Sequence, residues 1–366
     1  MNKKLLAAAV AAAMIAPAAY ADATLYGKFH VSVDANDIDV ANTSAGDIDN
    51  YTVNSRSSRL GVKGSEDLGN GLKAIYQLEL TVDVTDGTGV NAANRNTFLG
   101  LAGGFGTFLI GRHDTPAKVA FYAAGNERLG DSILDLNTST SGLNPIGVFS
   151  EVRASNAIAY VSPNFAGFTV AAAVVPGEQS GTGVNTPAVA AVPGNAGTAA
   201  VNQDNDENGL ADSYSVGLMY AGGGLMASVG YERLGDASNA IGASNDDSKM
   251  LQAGASFTFG SFSVGAQYED TSDFGNVRNV DYTAWAVTGK ASFGNNAISV
   301  VYTDSETDTP ALTARDVETQ GWGVAAEHNF SKRTKVYAAY ASNEIDRQNA
   351  NDTDDDRFSL GMIHDF

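Results

Sequence analysis

The sequence predicts an all-β protein, a transmembrane antiparallel β-barrel of about sixteen strands. Three observations lead to this prediction. Apolar and polar residues alternate with period two in many segments, which is typical of strands. The connections between these segments alternate between short turns and long polar stretches, as they do in membrane barrels. After the N-terminus, no apolar stretch approaches the roughly 20 residues that a spanning helix needs.

The N-terminus predicts export. Lys3 and Lys4 precede an apolar run over residues 5–15, and Ala19-Tyr20-Ala21 supplies small residues at the cleavage positions. A charged start, a short apolar middle and small residues before the cut are typical of a secretory signal peptide. We therefore predict a signal peptide over residues 1–21, cleavage after Ala21 and a barrel domain over 22–366. The alternative is an N-terminal anchor helix.

The predicted strands have one apolar side and one small or polar side. In "SFSVGAQYED", Phe262, Val264, Ala266 and Tyr268 alternate with serine, glycine, glutamine and glutamate. The same alternation appears in "LMASVGYE", "MLQAGASFTF" and "GWGVAAEHNF". A soluble sandwich also alternates, but it has about seven to nine strands, whereas this pattern runs through the whole mature chain. We therefore expect the apolar side to face lipid and the polar side to line a water-filled interior.

The connections set the strand count. Short turns are predicted at "SEDLGNGL", "AGGFG", "SPNFAGF", "YAGGG", "TFGS", "SFGNN" and "NFSKRT". The long, acid-rich stretches are 34–50, 84–94, 114–150, 176–212, 235–247, 273–279, 305–315 and 345–355. The segments between them number about sixteen, an even number as membrane barrels require. The last one, "FSLGMIHDF", alternates up to Phe366, and we expect it to pair with the first, "TLYGKFHVSV", so that no strand edge is left in lipid.

Charge and cysteine content exclude several classes of protein. The formal net charge is −20, and it becomes −22 once Lys3 and Lys4 are removed with the signal peptide. Such a chain repels nucleic acid, so we expect no nucleic-acid partner. Cysteine is absent, so this exported protein must be stable without disulfides.

Motifs for metal binding and catalysis are weak. Residues 204–209, "DNDENG", resemble the first half of an EF-hand loop, but Ser215 stands where the bidentate Glu is required. We expect no cofactor, with at most weak Ca²⁺ or Mg²⁺ binding at acidic external loops, where such ions could also bridge to lipopolysaccharide phosphates. The four histidines lack metal-ligand spacing, and His113 beside Asp114 is the one local candidate for catalysis. We predict that the protein is not an enzyme.

Six stretches, taken together and in order, resemble the Gram-negative general diffusion porins. They are "TLYGKFHVSVD", "SSRLGVKGSEDLGNGLKAIYQLE", "RNTFLGLAGGFGTFLIGRHDTP", "SNAIAYVSPNFAGF", "NFSKRTKVYAAYA" and "FSLGMIHDF". The resemblance implies a homotrimer of sixteen-stranded barrels in the bacterial outer membrane, in contact with lipopolysaccharide and lipid. It implies passive diffusion of ions and small hydrophilic solutes through a water-filled channel. It also implies that Phe366 is part of the signal read by the barrel-assembly machinery.

The resemblance further implies a narrow constriction, formed where the third extracellular loop folds into the barrel and faces basic side chains on the opposite wall. In this chain the loop corresponds to residues 114–150. The implied constriction residues are Lys28, Arg59, Glu79, Arg95, Arg112 and Arg153 on the wall, with Asp114, Glu127, Asp131 and Asp135 on the loop.

Two of these residues and the function itself carry alternatives. Arg112 could instead hold the root of the loop. Arg95 would point outward by strict alternation from Leu99 and Leu101, unless a bulge re-aims it. The alternative function is a solute-selective channel, or a surface receptor or adhesin that presents residues 176–212.

Overall fold

The computed structural model describes residues 23–41, 47–87, 89–91, 95–138, 142–177, 209–235, 247–309, 316–348 and 350–366. These described residues contain eighteen strand segments and one α-helix, α1, at Pro116–Ala123. The strands are β1 (Thr24–Val40), β2 (Ile48–Ser55), β3 (Arg59–Gly69), β4 (Leu72–Val82), β5 (Val90–Asn91), β6 (Thr97–Gly103), β7 (Gly106–Asp114), β8 (Arg153–Val161), β9 (Phe168–Val175), β10 (Ser213–Gly222), β11 (Leu225–Leu234), β12 (Ser248–Phe259), β13 (Phe262–Ser272), β14 (Asp281–Phe293), β15 (Asn296–Asp308), β16 (Val317–Asn329), β17 (Thr334–Arg347) and β18 (Thr353–Asp365). A single 3-10 turn spans Phe274–Asn276. In the described part of the chain, no helix has the length and apolar character required to cross a membrane.

The eighteen segments form a closed antiparallel barrel of sixteen strands. β2 and β3 both pair with β1, along its second half and its first five residues respectively, so together they make one interrupted strand. β5 and β6 both pair with β4 in the same way. Two segments therefore merge with their neighbours, and the predicted number of strands is confirmed. β1 also pairs with β18 from Lys28–Asp365 to Val40–Thr353, which closes the sheet.

The two faces of the sheet have the predicted polarity. On β13, Val264 is 50% exposed on the outer face, whereas Gln267 is 3% exposed and Glu269 is fully buried on the inner face. Exposed aromatic side chains of the outer face form one row beside the short turns, including Phe105, Phe168, Phe259, Phe293 and Phe330. A second row toward the other end includes Tyr51, Tyr268, Trp285, Tyr302 and Trp322. An apolar band between two aromatic girdles matches the surface that a membrane barrel presents to lipid.

The two ends of the barrel differ as the sequence predicts. β10 and β11 are joined by Gly223 and Gly224 alone, with φ of 60° and 86°. A two-residue hairpin turn needs φ above zero at both positions, which glycine adopts without strain. The predicted loop 34–50 was too long, because β1 continues to Val40 and β2 begins at Ile48. Hydrogen bonds between β1 and β2 pair the backbone N–H and C=O groups of these residues, although neither face of this part of the sheet is predominantly apolar.

Phe366 closes the barrel through its backbone as well as its ring. Its N–H donates to Gly27 O and its carbonyl accepts from Gly27 N, both at 3.0 Å. The ring lies over Gly27, where any Cβ would overlap it, and 5.1 Å from the Phe29 ring. The predicted pairing of the last strand with the first is therefore confirmed, and Gly27 is the residue that makes room for the terminal aromatic ring.

Candidate functional site

The segment after β7 packs against the inner face of the barrel. Helix α1 begins after Thr115, whose Oγ1 accepts from Lys118 N, and Ala117 N donates to Ser215 Oγ on β10. Further along, the segment contributes fully buried apolar side chains, among them Ile133, Leu134, Leu136, Ile146 and Phe149. These pack on inward-facing residues of β14–β18, including Tyr282, Ala284, Ala286, Val301, Ala325, Tyr337, Ala339, Ala341 and Ile363.

Small residues on the inner wall make room for this segment. A Cβ at Gly321 would lie 2.8 Å from the side chain of Ile146, and one at Gly323 would lie 3.1 Å from Leu134. Alanines occupy many of the neighbouring inward positions. Larger side chains on β16 would push the segment away from the wall, so the wall and the segment are complementary in shape.

A cavity of about 370 Å³ lies between this segment and the rest of the inner wall. Its charged lining contains seven basic residues, Lys28, Arg59, Arg95, Lys118, Arg128, Arg153 and Lys335, and five acids, Asp114, Glu127, Asp131, Asp135 and Glu151. Eight of the ten predicted constriction residues are therefore in one cavity. A second cavity of about 590 Å³ shares Arg95, Tyr122, Asp131, Asp135 and Glu151 with it, so the two are contiguous.

Asp131 connects the segment to the wall formed by β1 and β3. Its Oδ2 lies 2.8 Å from Lys28 Nζ and 3.6 Å from Arg59 Nη1. Burial alone would raise the pKa of Asp131, but the charge and hydrogen bond of Lys28 outweigh it and lower the pKa to about 2. Asp131 is thus ionised at any physiological pH. Of its two ion pairs, the one with Arg59 is the longer.

A second ionic group lies at the root of the segment. Asp114 Oδ1 is 2.9 Å from Arg153 Nη2 and 3.1 Å from Lys118 Nζ, and Lys118 also contacts Glu151 at 2.9 Å. Asn96 accepts from Arg153 Nε at 2.9 Å and donates to Asp114 Oδ2 at 2.8 Å. Sequence reasoning missed Lys118, although its spacing of four from Asp114 is a helical ion-pair signal. Asp114 itself is the last residue of β7, not part of the following loop.

Glu79 and Arg95 form a third ionic group. Arg95 Nε donates to Glu79 Oε1 at 2.5 Å, and Tyr26 Oη donates to Glu79 Oε2 at 2.8 Å. Strict alternation from Leu99 would have placed Arg95 outside, but the strand is interrupted between β5 and β6. Arg95 and Asn96 consequently both contact inner-face groups, which successive residues of a regular strand cannot do.

Glu127 and Asp135 are buried acids beneath this charged surface. Asp135 accepts hydrogen bonds from the backbone N–H groups of Asp131 (2.6 Å) and Asn137 (2.9 Å). Burial and then the charge of Asp131 raise the pKa of Asp135 to about 6. Burial, followed by the charge of Asp135, also raises the pKa of Glu127 well above its ordinary value. The negative charge of the cavity therefore falls as the pH is lowered through about 6.

Arg112 lies apart from this cavity, contrary to its place in the predicted set. Its Nη1 donates to Ser155 Oγ at 2.6 Å, and the described lining of the cavity does not include it. The register shifts between Gly111 and His113, and Gly111 has a φ of 142°. This bulge interrupts the regular alternation of β7, so the side chain of Arg112 lies in different surroundings from those of the residues that follow it. The alternative reading, in which Arg112 holds the root of the loop, fits this contact.

Two arginines that the sequence reasoning missed contact the far end of the segment. Arg56 donates to Leu143 O at 3.0 Å and forms an almost fully buried ion pair with Asp34, at 2.6 Å. Arg357 donates to Gly142 O at 2.6 Å and grips both oxygens of Asp355. Arg56 lies in the break between β2 and β3, a position that no strand alternation predicts.

The other motifs contribute little chemistry. His113 Nδ1 is 3.0 Å from the backbone carbonyl of Asp114, so this contact does not form the carboxylate–imidazole pair of a catalytic dyad. Within the described ranges, no group of three or more His, Cys, Asp or Glu residues has the geometry to hold a metal ion. The predicted signal peptide, the EF-hand-like residues 204–208 and most of the predicted 176–212 loop lie outside the described residues.

Comparisons with known proteins identify the family of this chain. A family model described as Gram-negative porin matches residues 7–348. The major outer membrane protein P.IB of Neisseria gonorrhoeae is 28% identical over 364 residues, covering 92% of each chain. Outer membrane porin protein 32 of Delftia acidovorans is 30% identical and covers 93% of this chain and 89% of that protein.

Solved structures share the fold. An anion-selective porin from Comamonas acidovorans superposes with a TM-score of 0.68 at 20% identity, covering 94% of this chain and all of the other. OmpT of Vibrio cholerae, solved in a trimer form, gives a TM-score of 0.62 at 16% identity and covers 94% and 99% of the two chains.

Proposed function

This chain belongs to the Gram-negative porin family, and we propose that the cavity between residues 114–150 and the inner wall is the constriction of its channel. Membership makes the protein an outer-membrane porin, a water-filled channel for passive diffusion. It points to a channel rather than an enzyme. The residues that line this constriction are the ones proposed to select the solutes.

One observation carries the assignment of the constriction. Basic and acidic side chains from five strands and from the 114–150 segment line a single small cavity inside a barrel whose outer face is apolar. Opposed charges in a narrow, poorly screened space orient dipolar solutes and favour small polar ones over apolar ones. Ions and small hydrophilic solutes are therefore the proposed cargo.

The charge balance of the cavity supports a preference for anions. Its seven basic residues exceed its five acids, and protonation of Asp135, whose pKa is raised to about 6, reduces the negative charge further as the pH falls below neutrality. A structural relative is named as an anion-selective porin. We propose a weak anion preference for this chain, set by Arg59, Arg95 and Arg153 together with the loop residues.

Reversal potential across a KCl gradient tests this assignment. Substituting Arg59 and Arg153 together by Glu reverses two of the seven positive charges in the cavity, so we expect the channel to become cation-preferring. The matched control substitutes Lys63 and Lys73 by Glu, the same change of net charge at exposed lysines outside the cavity. If the Arg59/Arg153 variant reverses at the wild-type potential, these arginines do not line the constriction.

We also propose that the protein is a homotrimer that contacts lipopolysaccharide and lipid, and that the barrel-assembly machinery reads Phe366. A trimer form of the structurally similar OmpT supports the oligomeric state. Electrophoresis of the unheated protein in mild detergent, with chemical crosslinking, distinguishes a trimer from a monomer. Weak Ca²⁺ or Mg²⁺ binding at the acidic external loops remains a proposal that calorimetric titration can test.

A further inference from the structure

Arg128 is a buried cation without an acidic partner. The residue is only 9% exposed and comes from the 114–150 segment. Its Nε donates to Thr288 Oγ1 at 2.9 Å, and its Nη1 donates to Gly125 O at 3.0 Å and Ser263 Oγ at 2.9 Å. Its buried Nη2 has no hydrogen-bond partner within the described part of the chain. Among the described residues, Arg128 also takes part in no ion pair.

The neighbouring acid does not neutralise Arg128 by contact. Glu127 directs Oε2 to Leu136 N (3.3 Å) and Asn137 Nδ2 (3.4 Å) instead. Burial lowers the pKa of Arg128, which the charge of Glu127 only partly offsets. A guanidinium remains protonated under these conditions, so burial leaves an uncompensated positive charge. An anion held in the cavity that Arg128 lines would reduce this cost.

Two lysines extend the positive charge around Arg128. Lys290 Nζ donates to Arg128 O at 3.3 Å and to Glu327 Oε1 at 2.5 Å. Lys335 Nζ lies 3.0 Å from Glu327 Oε2 and lines the same cavity as Arg128. Lys290 and Lys335 thus share the Glu327 carboxylate while Arg128 forms no ion pair among the described residues, so these four side chains carry a formal excess of two positive charges.

Among the described residues this group shares no ion pair with the ionic groups around Asp131, Asp114 and Glu79, although Arg128 and Lys335 line the same cavity as Asp131 and Asp114. Ser263 and Lys335 are the second residues of β13 and β17, and Lys290 lies three residues before the end of β14. All three positions are close to the short turns. The group therefore lies on the β13–β17 wall, toward the short-turn end of the channel. An ion that crosses the channel passes this group and the arginines of the other wall one after the other.

We propose that Arg128, Lys290 and Lys335 form a binding site for small dianionic oxyanions, with inorganic phosphate or a phosphomonoester as the class of ligand. The proposal rests on the proposed channel function. Two excess positive charges match a dianion, and the planar donors of a guanidinium suit the oxygens of a phosphate. A site of this kind within the cavity retains dianions during passage and, while occupied, hinders chloride.

Planar-bilayer recording in KCl tests the proposal with inorganic phosphate as the probe, at mildly alkaline pH where phosphate is mainly the dianion. In the wild type, added phosphate should lower the chloride conductance in a saturable manner. Arg128→Gln should raise the half-saturating phosphate concentration about tenfold, because a charge-assisted hydrogen bond is lost. Lys335→Gln should raise it in the same direction, and Lys335 is the safer variant because its ion pair is with the wall and not with the loop.

The controls separate a site from general electrostatics. Lys63→Gln removes one positive charge near the short turns but outside the cavity, and it should leave the half-saturating concentration unchanged. Sulfate should act like phosphate, whereas acetate should not. Glycerol phosphate, compared with free phosphate, shows whether a phosphomonoester is accepted.

Three results would overturn the proposal. They are an unsaturable effect of phosphate, an unchanged half-saturating concentration in both Arg128→Gln and Lys335→Gln, or an equal change in Lys63→Gln. A wild-type protein with no KCl conductance before phosphate is added would overturn the channel function as well, so the two failures are distinguishable.

Discussion

Asp135 is a buried acid of the cavity whose charge changes near physiological pH. Its pKa is about 6, raised by burial and by Asp131, so it gains a proton in the folded protein at a higher pH than in the unfolded chain. Because the folded state binds this proton more tightly, stability falls as the pH rises from about 4, the ordinary carboxyl pKa, through about 6. As the pH rises through about 6, the cavity gains the negative charge of Asp135.

Selectivity should follow this titration. Lowering the pH from about 7 to about 5 neutralises Asp135, so the channel should become more anion-preferring through a step centred near pH 6. Asp135→Asn should remove the step and fix the channel in its low-pH state. Asp131→Asn is the comparison, because Asp131 stays ionised throughout, so its loss should keep the step but move it to lower pH, since the charge of Asp131 helps to raise the pKa of Asp135. Reversal potential against pH measures both, and a step that persists in Asp135→Asn would rule out Asp135 as its source.

Gly27 and Phe366 form one residue-scale unit at the closing seam. Gly27→Val would place side-chain atoms where the Phe366 ring lies, and deletion of Phe366 would remove both of its backbone bonds to Gly27. We expect either change to lower the yield of assembled barrel while export continues, as measured by heat-modifiable electrophoresis of membrane fractions. Wild-type yield from both variants would contradict the role of this seam. Gly104→Ala, in the β6–β7 turn outside the seam, is a control for the loss of a glycine in itself, because a Cβ there meets no atom within 4 Å.

At the scale of one strand, the outer and inner faces should respond differently to charge. Val264 lies on the outer face of β13 at 50% exposure, so Val264→Arg places a cation in lipid at a cost of about 2–4 kcal/mol at mid-membrane depth. Thr258 on β12 is exposed on the inner face, and Thr258→Arg places the same charge in water. We expect Val264→Arg to lose folding stability in lipid vesicles and Thr258→Arg to retain it. Equal losses from both would show that the outer face does not contact lipid.

Strand interruptions have a functional consequence at this same scale. The breaks between β2 and β3 and between β5 and β6 free Arg56 and Arg95 from strict alternation. Both then point inward, where Arg56 binds Asp34 and the 114–150 segment, and Arg95 binds Glu79. Two local interruptions of the strands thus determine that two of the basic side chains point into the channel.

At the scale of the whole molecule, net charge and local charge have opposite signs. The chain carries a net charge of −20, yet the cavity has more bases than acids. Many acids instead lie at the loop end of the wall, where Asp37 faces Asp356 and Asp49, and Asp39 faces Asp354. Like charges on opposed strand positions repel each other, so this end of the barrel attracts cations.

Salt should therefore shift the selectivity of the intact channel. Physiological salt screens the field of the acids at the mouth beyond about 8 Å. The charges of the narrow cavity are screened less. We expect weak net selectivity at low salt and a drift toward anions as salt rises. Reversal potentials at a fixed KCl ratio and increasing mean concentration measure this. A drift toward cations would mean that the mouths, and not the cavity, control permeation.

The sequence by itself determined the architecture of this protein. Period-two alternation and alternating loop lengths predicted the sixteen strands and the outer position of Val264, because in a strand the side chains of successive residues must point to opposite faces. The resemblance to porins placed Lys28, Arg59, Asp131 and Arg153 in one site, and the structure brings them together.

Only the tertiary structure decided which charges act together. Lys118 and Arg128 are polar residues in a long loop, and nothing in their local pattern tells which wall they reach. Arg112 and Arg95 depart from alternation because a bulge and a break occur nearby, and such irregularities depend on pairing with distant strands. Alternation is a local property of the backbone, whereas ion pairs join residues about 100 positions apart, such as Lys28 and Asp131, once the barrel has closed.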